Sequence, residues 1–198
     1  MNDPGFRQMH DTVSPVLGGG WDKNLPKFED IFPYDAFEDH FDRGVPWDET
    51  SMPAFVERLL NVGKTWGGCS TVEEIDERYR ELDRLYEQIK NNGYRTQRDL
   101  MQTDDDTALS PLGESWDEPE AYEIVVDIGR DGELIFEDGR HRLAIAKLLD
   151  LDKIPVSVLV RHEDWQRVRS MVAHRPESYE EISHPDLQLT REQSQAEH

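Results

Sequence analysis

Five consecutive residues, Asp138, Gly139, Arg140, His141 and Arg142, concentrate the most chemistry in this chain. They stand between an apolar run, "ELIFE", and a helical pattern, "LAIAKLL", which gives the order strand, tight turn, helix. Such a turn delivers backbone N–H groups to an anion at the start of the helix. Gly139 has no side chain and lets the backbone approach a ligand closely, while Asp138 can cap the helix. A helix N-terminus carries about half a positive charge and favours Asp or Glu, so Arg140, His141 and Arg142 are out of place unless something anionic joins them. A phosphate would do so, held by Gly139, Arg140, His141 and a two-pronged contact from Arg142. On the residues alone an alternative stays open: ordinary turn chemistry, with the basic side chains paired to neighbouring acids.

The elements that must position this turn are legible around it. "EIVVDIG" and "ELIFED" flank Arg130-Asp131-Gly132 and read as a hairpin. "RHRLAIAKLLDL" is a helix, and "KIPVSVLVRH" a strand with Ile154, Val156, Val158 and Val160 on one face. "EDWQRVRSMVAH" is a last helix that buries Trp165, Val168, Met171 and Val172. His162, Asp164 and Trp165 follow the last strand, and a loop His among acids reads as a surface residue. Upstream, the spacing of Val72, Ile75, Tyr79, Leu82, Tyr86 and Ile89 predicts a long helix, opened by a capping box at Ser70 or Thr71 with Glu73 or Glu74. Two short helices precede it: one carries Tyr34, Phe37 and Phe41 and ends at Gly44, the other carries Phe55, Leu59 and Val62 and ends at Gly63. Gly18, Gly19 and Gly20 read as a turn anchored by Trp21 and not as a phosphate loop, since no Lys with Ser or Thr follows. Residues 101–122 read as an acidic loop in which Asp104, Asp105 and Asp106 are solvated, and residues 175–198 as a polar tail that docks through Ile182 and Leu187.

Composition sets the limits. The 198 residues carry a net charge of -21, with 43 Asp and Glu against 22 Lys and Arg. That acid must lie on the surface, where it repels phosphate backbones, so any nucleic-acid partner is not held through a basic surface. An acidic, Lys-poor surface suits molar salt, where self-repulsion is screened, and this predicts a halophile's protein, with the virion of a halophile's virus as the other source. Cys69 is the single cysteine, which rules out an internal disulfide and a cysteine-based zinc cluster and fits a reducing cytoplasm. No apolar run approaches the roughly 18 residues of a membrane span, and the N-terminus has no export pattern, so a cytoplasmic protein without a membrane partner is expected. His10, His40, His174 and His184 show no metal-ligand spacing, and no metal site is assigned.

"DGRHRLAIAKLLDLDKIPVSVLV" resembles the signature of the ParB/sulfiredoxin superfamily, a Gly-x-[His/Arg]-Arg turn, a helix, then "IPV" and a strand. "LDRLYEQIKNNGYRTQRDL" is similar to the segment before that signature in ParB-like domains, and together the likeness spans roughly residues 71 to 162. The resemblance implies an α+β fold, a small mixed sheet with packed helices, here with an N-terminal arm and helical annex over residues 1–66, the domain over 67–174 and the tail beyond. It implies that Gly139, His141 and Arg142 surround nucleotide phosphates, with ATP, ADP or CTP and Mg²⁺ as the cofactors. Sulfiredoxins place their catalytic Cys where this chain has Arg140, so reduction of cysteine sulfinic acid is not expected. ParB commonly has Glu there, and the residues after His162 are too few for its DNA-binding domain. Free-serine kinases of the superfamily have Asp-Gly-His-His-Arg; that likeness would make Asp138 a base, with His141 and Arg142 stabilising the transferred phosphoryl group. The expected function is a nucleotide- or phosphate-binding module serving a nucleic-acid process. The alternatives are a small-molecule kinase and a non-catalytic subunit with a protein partner or a second copy.

Overall fold

A computed structural model of the chain describes residues 15–102 and 123–188. The fold is mixed α and β, with seven α-helices and one four-stranded sheet among the described residues. Contacts divide the chain into a helical unit, Pro26–Ile124 with Asp138–Ser157, and a sheet unit, Met1–Leu25 with Val125–Glu137 and Val158–His198.

In the helical unit, α1 (Phe28–Ile31) and α2 (Tyr34–Phe37) are single turns, and α2 runs on through a π turn over Glu38–Asp42. A 3-10 turn at Trp47–Glu49 leads to α3 (Met52–Asn61). Gly44 and Gly63 follow these helices at φ +71° and +72°, the left-handed stop the sequence predicts. The buried stripe of α3 is Met52 and Val56, not Phe55, Leu59 and Val62; the helix ends at Asn61, which leaves Val62 beyond its last turn and 69% exposed. The long helix α4 (Val72–Asn92) opens with the expected box: Thr71 Oγ1 accepts from the Glu74 amide, and the Glu74 carboxylate accepts from the Ser70 and Thr71 amides. Leu82, Leu85, Tyr86 and Ile89 form its buried face, while Val72, at the first helical position, stays exposed. A short α5 (Gln97–Gln102) follows; residues 103–122, with Asp104, Asp105 and Asp106, lie outside the described residues. Helix α6 (Arg140–Leu148) packs on α2 and α4 through Ala144, Ile145 and Ala146. Of the aromatic residues on the two short helices, Phe37 is fully buried and Tyr34, Phe41 and Phe55 are partly buried, with Phe41 stacked on Tyr86 at 4.0 Å; Trp66, between α3 and α4, is nearly sealed as well.

The sheet unit carries β1 (Val16–Leu17), β2 (Ile124–Ile128), β3 (Leu134–Asp138) and β4 (Val156–His162) in the order β1-β4-β2-β3. Strand β1 runs parallel to β4, with Val16 opposite Arg161. The predicted hairpin of β2 and β3 is present, and Gly132 turns it at φ +85° directly under the Trp165 ring, where a Cβ would lie 2.6 Å away. Helix α7 (Glu163–His174) buries Trp165 and Val172 against Ile128 and Leu187; Met171, expected inside, is 44% exposed. The C-terminal segment docks through Leu187, as predicted, but not through Ile182, which is 37% exposed; Asp186 is its other anchor, and its carboxylate takes two bonds from Arg161 at 2.7 and 3.1 Å and one from Trp165 Nε1 at 3.0 Å. At the other end, Asp22 and not Trp21 is the buried anchor: it accepts from the Arg130 amide and from its guanidinium, which holds the Asp22 carboxyl well below the usual range. Among the described residues no helix is long and apolar enough to cross a membrane.

Candidate functional site

The five-residue turn lies wholly within the helical unit. Gly139 is the N-cap of α6 at φ +86°, and a Cβ there would stand 2.8 Å from the Ile124 Cα, so the position admits only glycine without backbone movement. Having no side chain, Gly139 offers nothing to the first-turn amides of α6. Asp138 is exposed and sits one residue too early to cap; its Oδ1 accepts from the Gly139 amide at 2.8 Å. No acid occupies the first turn of α6, whereas Glu73 and Glu74 open α4 and Glu163 and Asp164 open α7.

The three basic residues part company. Arg140 is half-buried and makes no hydrogen bond or ion pair among the described residues. Arg142 turns inward: it is 6% exposed and its Nη1 donates to Glu123 Oε2 and to the Tyr94 hydroxyl, both at 3.1 Å. Burial pushes the Tyr94 hydroxyl far above 10, so it stays neutral beside this pair. A cavity of about 10 Å³, room for one water, lies beside Tyr94 and Arg142. His141 also turns inward: its ring stacks on Phe37 and meets Phe32 and Trp66 edge-on, with centroids 6.2, 5.7 and 5.7 Å away. Burial, then the charges of Arg78, Arg140 and Arg142, hold the imidazole well below 6.5 and therefore neutral.

The turn thus leaves Gly139, Arg140 and the α6 amides, with Asp138 adjacent, and spends the His141 and Arg142 side chains on the interior. Sequence reasoning did not name Glu123 and Tyr94 as partners of Arg142. One signal was present, a carboxylate heading the apolar run of β2, the place where a buried cation finds its counter-charge.

In the sheet unit His162 is 1% exposed, not a surface residue: its Nδ1 accepts from the Asp164 amide and caps α7, and its Nε2 donates to the Gly19 carbonyl at 3.1 Å. Asp127 on β2 accepts from the Val160 amide at 2.8 Å; burial, and then its neighbour Glu137, push its carboxyl up to about 7. Among the described residues no three His, Cys, Asp or Glu stand together as a metal site. No family model, curated protein or solved structure matches this chain.

Proposed function

We propose that the turn at residues 138–142 binds the phosphate of a nucleotide or a phosphorylated small molecule, in keeping with the ParB/sulfiredoxin resemblance of its sequence. The observation that carries this reading is Arg140: in a chain with nearly twice as many acids as bases, it stands unpaired among the described residues at a helix N-terminus with no acid in its first turn. A phosphate would accept from the amides of α6, approach over Gly139 and take the Arg140 guanidinium as its counter-charge. His141 and Arg142 then support the turn from inside instead of touching the ligand. In the phosphoryl-transfer form of this reading, Asp138, which is exposed, would act as the base. The acidic composition turns any role in a nucleic-acid process away from direct backbone binding.

One observation favours a second reading, a non-catalytic module that keeps the fold and binds a protein partner: two of the three basic side chains are already satisfied or enclosed within the helical unit. Calorimetric titration of ATP, ADP and CTP with Mg²⁺, in high KCl, separates the two. Saturable binding that weakens at least tenfold in Arg140→Ala supports the phosphate site. Absence of binding by folded wild type supports the module. Arg142→Ala is the wrong probe, since it uncovers Glu123 whatever the ligand.

A further inference from the structure

Behind the turn, in atoms that the phosphate reading does not use, three ring and guanidinium nitrogens are sealed from solvent without a hydrogen-bond partner: Trp66 Nε1, Arg78 Nε and His141 Nε2. They belong to one neighbourhood of the helical unit. The Trp66 and His141 rings are 5.7 Å apart and nearly perpendicular. The Arg78 guanidinium rests on Gly67, the residue after Trp66, with Nη2 2.8 Å from where a Gly67 Cβ would be, and Nη1 pairs with Glu81 at 2.9 Å. Arg78 is also the foremost of the three guanidinium charges acting on His141.

The chemistry of the set is one-sided. An indole N–H and a guanidinium Nε–H can only donate, and neutral His141 donates from Nε2 in one of its two tautomers. Buried donors are almost always answered, and an unanswered group points to a water, an ion or a ligand. Arg78 and Arg142 face carboxylates and, among the described residues, Arg140 does not, yet the charges that act on the imidazole are those of the three arginines, which favours an anion over a water. We infer that Trp66 Nε1, Arg78 Nε and His141 Nε2 bind one small anion, a halide or a single oxygen of an oxyanion, inside the helical unit. Arg78, with 18% of its side chain exposed, is the member whose movement admits it. Bound there, the ion supplies the three donors with a common acceptor and offsets the positive charge at the base of α6.

The test uses the full chain. Crystals grown from chloride and soaked in bromide are measured at the bromine edge, with parallel crystals soaked in inorganic phosphate. A bromide peak in hydrogen-bond reach of Trp66 Nε1 establishes a halide site, and phosphate density there an oxyanion site. In solution the unfolding midpoint is compared in chloride and in gluconate at equal ionic strength. The wild type should be higher in chloride, and Trp66→Phe, which keeps the ring and removes the N–H, should lose that difference. Should Trp66→Phe fail to fold, Arg78→Lys keeps the charge facing Glu81, removes the Nε–H and serves the same comparison. A water at this position, or a direct Trp66 to His141 hydrogen bond with no halide-specific shift in the wild type, overturns the inference.

Discussion

Helices α6 and α7 each begin within two residues of a strand's end, and their first turns are built in opposite ways. Helix α7 opens with His162, Glu163 and Asp164: the His162 imidazole caps the Asp164 amide, and two acids answer the helix dipole. Helix α6 opens with Gly139, Arg140, His141 and Arg142, with no side chain at its cap position and no acid in its first turn. One terminus is completed by its own residues, and the other has neither a side-chain cap nor an acid, the arrangement on which the proposed anion site rests. The buried ion pairs differ too. Arg142 and Glu123 are both sealed, 7% and 8% exposed, whereas Arg130, which holds Asp22 in the sheet unit, is 27% exposed.

The largest effect expected from breaking this contrast is at Arg142. Arg142→Ala removes the buried counter-charge of the Glu123 carboxylate, which keeps the Tyr94 hydroxyl as a neutral donor at 3.2 Å, and should cost about 3–5 kcal/mol in urea unfolding. A loss under about 1 kcal/mol would show that the buried carboxylate does not depend on the Arg142 charge. At α7 the expected cost is smaller: His162→Ala removes a helix cap worth about 1 kcal/mol, read as a lower unfolding midpoint with no change in ligand binding.

The pH profile sharpens the comparison, since the two units titrate in opposite senses. Asp127 is raised from 3.8 to about 7, so the folded protein keeps a proton that the unfolded chain gives up. Its contribution is complete below 3.8 and is lost as the pH rises through about 7. His141 is held well below 6.5, so the unfolded chain takes up its proton first, and that contribution is present above 6.5 and lost as the pH falls. Denaturation across this range should show the alkaline loss reduced in Asp127→Asn and the acid loss reduced in His141→Phe. If each variant kept the wild-type slope, the burial assigned to that group would be wrong. The smallest effect on stability is expected at Arg140, where Arg140→Ala should change the unfolding free energy by less than about 0.5 kcal/mol, the usual range for a surface side chain without a partner.

How much of this was legible in the sequence follows from the range of the interactions involved. The capping box at Thr71 and Glu74, the hairpin around Gly132 and the strand, turn and helix at Gly139 are set by residues a few positions apart, and each is present. Arg142 with Glu123, Asp22 with Arg130 and Asp186 with Arg161 join positions 19, 108 and 25 residues apart, and no local pattern names the partner among so many acids. The direction of the His141 ring was hidden for a related reason. Of its shell of Phe32, Phe37 and Trp66, only Phe37 belongs to the aromatic pattern read from the sequence, and nothing local marks these rings as the wall around this imidazole.

We propose that the start of α6 takes up an anion and the start of α7 does not. Titrating the ¹⁵N-labelled protein with ATP and Mg²⁺, and separately with inorganic phosphate, reads both helices in one spectrum. Saturable shifts of the Arg140, His141 and Arg142 amides are expected, while the Glu163, Asp164 and Trp165 amides stay in place. Equal shifts at both helix starts, or none at α6 up to millimolar ligand, would contradict it.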